Sequence, residues 1–238
     1  MNTGFYKDLD TNFEQALEMS EREFAHDELI EMLKVGNIPQ KQIAAMKLDK
    51  IMNQVEADIL ISNLTGCDGK IREAVALRIN TFLKVQPELI SLFNRPKVFA
   101  DASVDINGNI CRLVIDSVSF LKQNKDFADV YLEEILTFIE DAFAELDKFI
   151  FRDKKYVINK QLFKLYWCLE ALKGFVLEIP LEKLYPIIDR ASQEREYTIR
   201  EKAAQILNLL NPASLNSIKE RLSNDDNYYV RNALKKHN

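Results

Sequence analysis

Histidine, cysteine, glycine and proline are all scarce in this 238-residue chain, and each shortage removes a class of protein. There are two histidines, His26 and His237, and neither has a second histidine at the i+3 or i+4 spacing of helical metal sites. Glu23 and Glu31 fall at helical distances around His26, which reads most simply as a surface side chain. Three cysteines, at positions 67, 111 and 168, are an odd number without a close pair. They suggest neither a disulfide framework nor a Cys-x-x-Cys metal clip, and read as buried thiols in a reducing cytoplasm. Six Gly and six Pro leave little material for hairpins, phosphate-cradling loops or long linkers. Nucleophile elbows, Walker loops, dinucleotide fingerprints and calcium loops are missing. No apolar run approaches the roughly 18 residues of a membrane-spanning helix, and the first residues lack the basic and apolar regions of a secretory signal. The expectation is a protein with no cofactor, no metal and no membrane association.

Charge of one sign is not in excess overall. A formal net charge of −5 argues against a nucleic-acid surface. The distribution is uneven: residues 1–35 hold nine acidic against three basic side chains, whereas residues 195–238 hold eight basic against five acidic. Screened, solvated surface charge is the simple reading, and head-to-tail attraction between molecules is the alternative.

What the chain has in abundance is helical periodicity. The stretch from Tyr197 to Leu210 echoes the stretch from Lys70 to Leu83: laying Ile71 on Ile199 puts Val75 on Ala203, Ala76 on Ala204, Ile79 on Leu207 and Phe82 on Leu210. Each copy is an amphipathic helix with small residues at its waist. Weaker copies begin at Gln40, Ile110 and Val157 and a truncated final one at Val230, so successive starts lie 31 to 47 residues apart, within the range of helical-repeat periods. Between them the spacing predicts a helix over 12–34 ended by Gly36, whose left-handed freedom suits a helix terminus. It also predicts a second helix over 55–64, a segment near Pro96 that interrupts helix, a long helix over 126–150, and short helices over 179–188 and 213–222. Glu134, Asp141 and Glu145 share a face of the long helix, as acid-base pairs would, but they also fit the wet side of an acidic helix.

Asp68-Gly-Lys-Ile-Arg72 with Val75-Ala76, Ile199-Arg200 with Ala203-Ala204, and Asp226-Asn-Tyr-Tyr-Val-Arg231 with Ala233 resemble the HEAT-repeat family. There an outer helix, an Asp-bearing turn and an inner helix opening on Val-Arg form the unit. The resemblance implies an all-α fold, an α-α superhelix (solenoid) of about five to six HEAT-like hairpins over residues 21–238, preceded by a polar helical segment over 1–20. It implies that Arg72, Arg200 and Arg231 are structural staples, each reaching an acidic turn residue of a neighbouring repeat. Gln40-Lys41, Ile110-Cys111 and Val157-Ile158 lack the Arg.

If the inner helices line a concave groove, positions two, six and nine after each anchor face it: Gln42, Met46 and Asp49; Glu73, Leu77 and Asn80; Arg112, Asp116 and Ser119; Asn159, Phe163 and Tyr166; Glu201, Gln205 and Asn208. The stripe is mixed rather than basic. Phe163 and Tyr166, beside the sole tryptophan Trp167, are either interface anchors or core. The expected function is a non-enzymatic scaffold or adaptor that holds a protein or peptide partner, centred on Met46, Leu77, Asp116, Phe163, Tyr166 and Gln205. The alternative is a HEAT-like enzyme or enzyme subunit of the DNA-repair glycosylase or bilin-lyase type.

Overall fold

A computed structural model describes residues 3–148, 155–210 and 215–235, with side chains placed from residue 11 in the first stretch and from residue 158 in the second. The chain divides into two compact units, Met1–Ala128 and Asp129–Asn238. Every regular element among the described residues is a helix, and none is long and apolar enough to cross a membrane.

The first unit contains α1 (Thr3–Ser20), α2 (His26–Val35), α3 (Ile38–Lys47), α4 (Gln54–Ser62), α5 (Gly69–Val85), a 3-10 helix (Pro87–Phe93), α6 (Pro96–Ser103) and α7 (Gly108–Leu121). Side-chain caps set many of the starts. Asp68 accepts from the backbone N–H of Lys70 and Ile71 at 2.9 and 3.1 Å. Asn37 and Gln40 cap reciprocally ahead of α3, and Asn53 and Asn107 open α4 and α7. Each satisfies N–H groups that a helix start leaves without partners.

Within this unit α5 packs between α3 and α7, while α4 packs against α2 and the 3-10 helix. The apolar spacing of α5 explains its central place: Val75 and Ala76 at the waist and Ile79, Phe82 and Leu83 beyond it are all buried. Burial of the Val, Ile, Phe and Leu side chains among them is worth roughly 1.5–3 kcal/mol each. Arg78 adds a polar tie, its Nε donating to the carbonyl of Ala45 in the last turn of α3 at 2.8 Å.

The second unit holds most of α8 (Lys125–Lys148), then α9 (Lys155–Lys173), α10 (Leu181–Ala191), α11 (Tyr197–Leu209), α12 (Asn216–Ser223) and α13 (Tyr228–Ala233). Here α11 takes the central place, against α9, α10 and α13. Its Ile199, Ala203, Ala204 and Leu207 are buried. Phe149 and Ile150, the last residues of the long helix expected over 126–150, Ala213, the first of the helix expected over 213–222, and His237 lie outside the described residues, as does the side chain of Val157.

Several expectations need correction. The helix expected over 12–34 is two helices, α1 and α2, because the chain leaves helical geometry at 21–25, where Glu28 turns back to accept from the N–H of Ala25 at 2.8 Å. Gly36 is not left-handed: its φ is −65°. What requires glycine is space, since an added Cβ would sit 2.4 Å from the carbonyl oxygen of Met32. The interruption expected near Pro96 falls at Asn94 and Arg95, between the 3-10 helix and α6, and Pro96 itself opens α6 at its first turn, where a missing N–H costs nothing. Cys111 and Cys168 are buried, but Cys67 is exposed in the turn before α5. His26 is not a surface side chain either: it lies half-buried with its Nε2 3.1 Å from Glu56 of α4, rather than beside Glu23 or Glu31.

Candidate functional site

The arginines of the repeat signature tie down the helices on which the candidate site stands. The guanidinium of Arg72 makes a two-pronged contact with Asp105, Nε to Oδ2 at 2.6 Å and Nη2 to Oδ1 at 3.1 Å, while Nη1 donates to the carbonyl of Gly66 at 2.8 Å. Arg200 repeats the arrangement with Asp225 at 2.6 and 3.0 Å and with the carbonyl of Glu194 at 2.8 Å. In both turns the aspartate also accepts a backbone N–H two residues on, from Asn107 or Asn227, and that asparagine caps the following helix. The acid that does the work in the second copy is thus Asp225. Asp226, the turn residue picked out in the sequence, is highly exposed and meets Arg200 at only 3.2 Å.

Arg231 and Cys111 stand at the same register position. Arg231 donates to the carbonyl of Asp225, six residues back, and Cys111 Sγ meets the carbonyl of Asp105 at 3.0 Å, also six back. Burial pushes the Cys111 thiol up to about 12, so it keeps its proton. Lys41, in the weak first copy, instead donates to Asn63 at 2.9 Å.

With the helices so held, the expected stripe can be placed residue by residue. In the first unit Met46 on α3 and Leu77 on α5 are 51% and 52% exposed, large apolar side chains on successive packed helices. Glu73 is half-buried and accepts from the amides of Asn107 and Asn109 at 3.1 and 3.2 Å. Asn80 does not face solvent. It is buried between α5 and α7, donating towards Leu113, Asp116 and Ser117 at 3.0–3.2 Å. Asp116 is held by Asn80 and by Lys84 at 2.6 Å, and its side chain stays 45% exposed. Burial disfavours its charge, but the Lys84 and Asn80 hydrogen bonds prevail and hold the carboxyl below the usual carboxylate range.

In the second unit Phe163, Tyr166 and Trp167 form an aromatic cluster on α9, with Trp167 edge-on to both neighbours at 6.2 and 5.2 Å. Phe163 is 38% exposed, while Tyr166 and Trp167 are half-buried, so the cluster is partly surface and partly core. Tyr166 lies beneath the ammonium of Lys202, 4.5 Å from its ring centroid. Lys202 is buried and pairs with Glu170, which also receives Lys173 at 3.1 Å. Gln205 joins them, accepting from Lys173 at 3.1 Å and Lys202 at 3.2 Å and donating to Glu201 at 3.3 Å. Burial works against both charges of the central pair, yet their mutual hydrogen bond prevails, holding the Glu170 carboxyl below and the Lys202 ammonium above their ordinary values.

Sequence reasoning missed this polar cluster. Its signal was legible: Lys202 stands three residues after its anchor, where the other strong copy has the buried Ala74, and Glu170 and Lys173 lie one turn apart on α9.

Beside the cluster opens a cleft of about 330 Å³, lined by Lys173, Glu201, Gln205, Asn208, Leu209, Tyr229, Asn232 and Ala233. All three stripe positions expected on α11 line it. Tyr229 is 59% exposed at its edge and stacks on Tyr197 at 6.3 Å between centroids. The amides of Gln205, Asn208 and Asn232 can donate and accept, and Leu209 and Tyr229 offer apolar contact. Among the described residues no group of three or more His, Cys, Asp or Glu side chains is placed to hold a metal ion. On α8, Glu145 pairs with Lys148 one turn on.

No family model matches the chain, and no curated protein does. Two crystal structures of engineered proteins from the Northeast Structural Genomics Consortium are similar to it. One is 14% identical, covering 89% of this chain and 96% of that one with a TM-score of 0.48. The other is 12% identical, covering 88% and 93%, with a TM-score of 0.47.

Proposed function

We propose that this chain is a HEAT-like α-solenoid, a non-enzymatic cytoplasmic scaffold or adaptor that holds an extended segment of a partner protein. The segment lies on the face of α9, α11 and α13. The recurrence of one Arg-Asp-Asn arrangement at Arg72, Asp105 and Asn107 and again at Arg200, Asp225 and Asn227 supports the repeat reading.

The observation that carries the functional reading is the cleft beside Gln205. It is built from the stripe positions of α11, Glu201, Gln205 and Asn208, and edged by exposed Tyr229 and Leu209. An extended peptide presents alternating N–H and C=O groups that side-chain amides can match. Aromatic rims anchor such segments at small conformational cost. Buried Lys202, itself paired with Glu170, donates to Gln205 and keeps its amide oriented, so recognition needs little reordering of the site.

The test is selection of 12-residue peptides from a random library on the folded chain, followed by binding to an Asn208→Ala plus Tyr229→Ala variant. The proposal predicts selected peptides whose affinity falls at least tenfold in the variant, at unchanged helix content. Peptides that bind the variant equally well, or retention of short duplex DNA at physiological salt with no peptide selected, would contradict it.

A further inference from the structure

The N-terminal helices carry a second surface, unrelated to the α9–α11–α13 face. Both α1 and α2 pack against α3, and between them lies an open cleft of about 540 Å³, within the roughly 300–1,000 Å³ range of ligand-holding clefts. Its lining is of two kinds. Met19, Phe24, Met32 and Val35 supply apolar surface, while Glu18, Glu28 and Glu31 supply carboxylates. The one basic lining residue, Arg22, sits over the Phe24 ring at 5.1 Å. Glu28 is engaged in capping α2, whereas Glu18 and Glu31 are exposed and make no ion pair among the described residues. This cleft also stands where the chain is most acidic, with nine acidic against three basic residues over 1–35.

We infer that this cleft is a docking site for a basic amphipathic helix of a partner protein. A helix with apolar side chains at i, i+3 and i+4 and lysine or arginine on its flanks meets the two kinds of lining together. Its apolar edge enters between Met19 and Met32, whose unbranched thioether chains adapt to irregular partners. Its flanking cations reach Glu18 from one side and Glu31 from the other. An anionic membrane surface or a nucleic acid would be repelled by the same carboxylates, and an acidic peptide likewise.

The experiment uses the full chain and a fluorescent 15-residue helix of leucine and lysine, with Leu at i, i+3 and i+4. Its controls are a glutamate-for-lysine counterpart and a proline-interrupted version. The expected result is saturable one-to-one binding that weakens as salt rises from about 50 to 300 mM, is about five- to tenfold weaker in Glu18→Gln plus Glu31→Gln, and is unchanged in Asn208→Ala plus Tyr229→Ala. A photoreactive leucine in the peptide should label residues 19–35. The proposal is overturned by no saturable binding, by equal affinity in the glutamine variant, or by equal affinity of the proline-interrupted peptide. Labelling confined to α9–α13 also overturns it, as does self-association of the chain abolished by the glutamine variant, which would make a second copy the occupant.

Discussion

Arg200 and Asp225 show how much one side-chain pair can carry. The guanidinium uses Nε and Nη2 on the carboxylate and Nη1 on a backbone carbonyl, a geometry lysine cannot reproduce. Replacing Arg200 by alanine should cost about 2–3 kcal/mol in urea unfolding, and by lysine about half as much. The Asp225 carboxyl is held below its usual range, chiefly by the Arg200 hydrogen bond. A depressed folded-state value means that the stabilisation is present above the unfolded value of about 3.9 and is lost as pH falls through the folded value. The stability gap between wild type and Asp225→Asn should therefore be widest at neutral pH and close as pH is lowered from about 4 towards 2. A gap that widens with acid would refute this assignment. The Glu170–Lys202 pair makes a different prediction. Glu170→Gln strands a buried ammonium and should cost about 3 kcal/mol, whereas Lys202→Met leaves Glu170 with Lys173 and should cost less than half of that. Thermal melts of the two variants decide it.

At the scale of single elements, two glycines separate steric need from backbone freedom. Gly36 has no room for a Cβ beside the Met32 carbonyl, so Gly36→Ala should destabilise by about 1–3 kcal/mol. Gly66 meets only one atom, at 3.8 Å, and has no positive φ, so Gly66→Ala should be neutral or stabilise by up to about 1 kcal/mol. Equal losses at both sites, measured by chemical denaturation, would remove the distinction. The helices α5 and α11 were legible in the sequence because their apolar spacing and small waist residues coincide in two copies, and the structure buries Val75, Ala76, Ala203 and Ala204. The break between α1 and α2 was not, because Phe13, Leu17, Phe24 and Leu29 continue a helical stripe across residues that turn. Pro96 was ambiguous for a physical reason: the same ring that ends one helix pre-sets the first turn of another. Of the expected stripe, Met46 and Leu77 are exposed. Asn80, expected on the same face, is buried, because Asp116 and Ser117 of α7 offer hydrogen-bond partners that a single helix's periodicity cannot reveal.

At the scale of the whole molecule, the central helix of each unit is buried by neighbours on both sides. In the first unit α5 stands between α3 and α7, and in the second α11 packs against both α9 and α13. If the chain is the solenoid proposed above, its stability is a sum of unit and interface terms, so flanked helices should be held most firmly and terminal ones least. In the proposed scaffold that ordering would leave Leu77, Gln205 and Asn208 on the most firmly held helices, at small ordering cost on binding. Native-state hydrogen exchange of the intact chain, read by mass spectrometry, tests the claim most directly. The prediction is that backbone amides of residues 71–83 and 199–207 exchange more slowly than any others in their respective units, with residues 11–20 and 228–233 the fastest of the helical segments. Exchange at 71–83 or 199–207 as rapid as at 11–20 and 228–233 would contradict it.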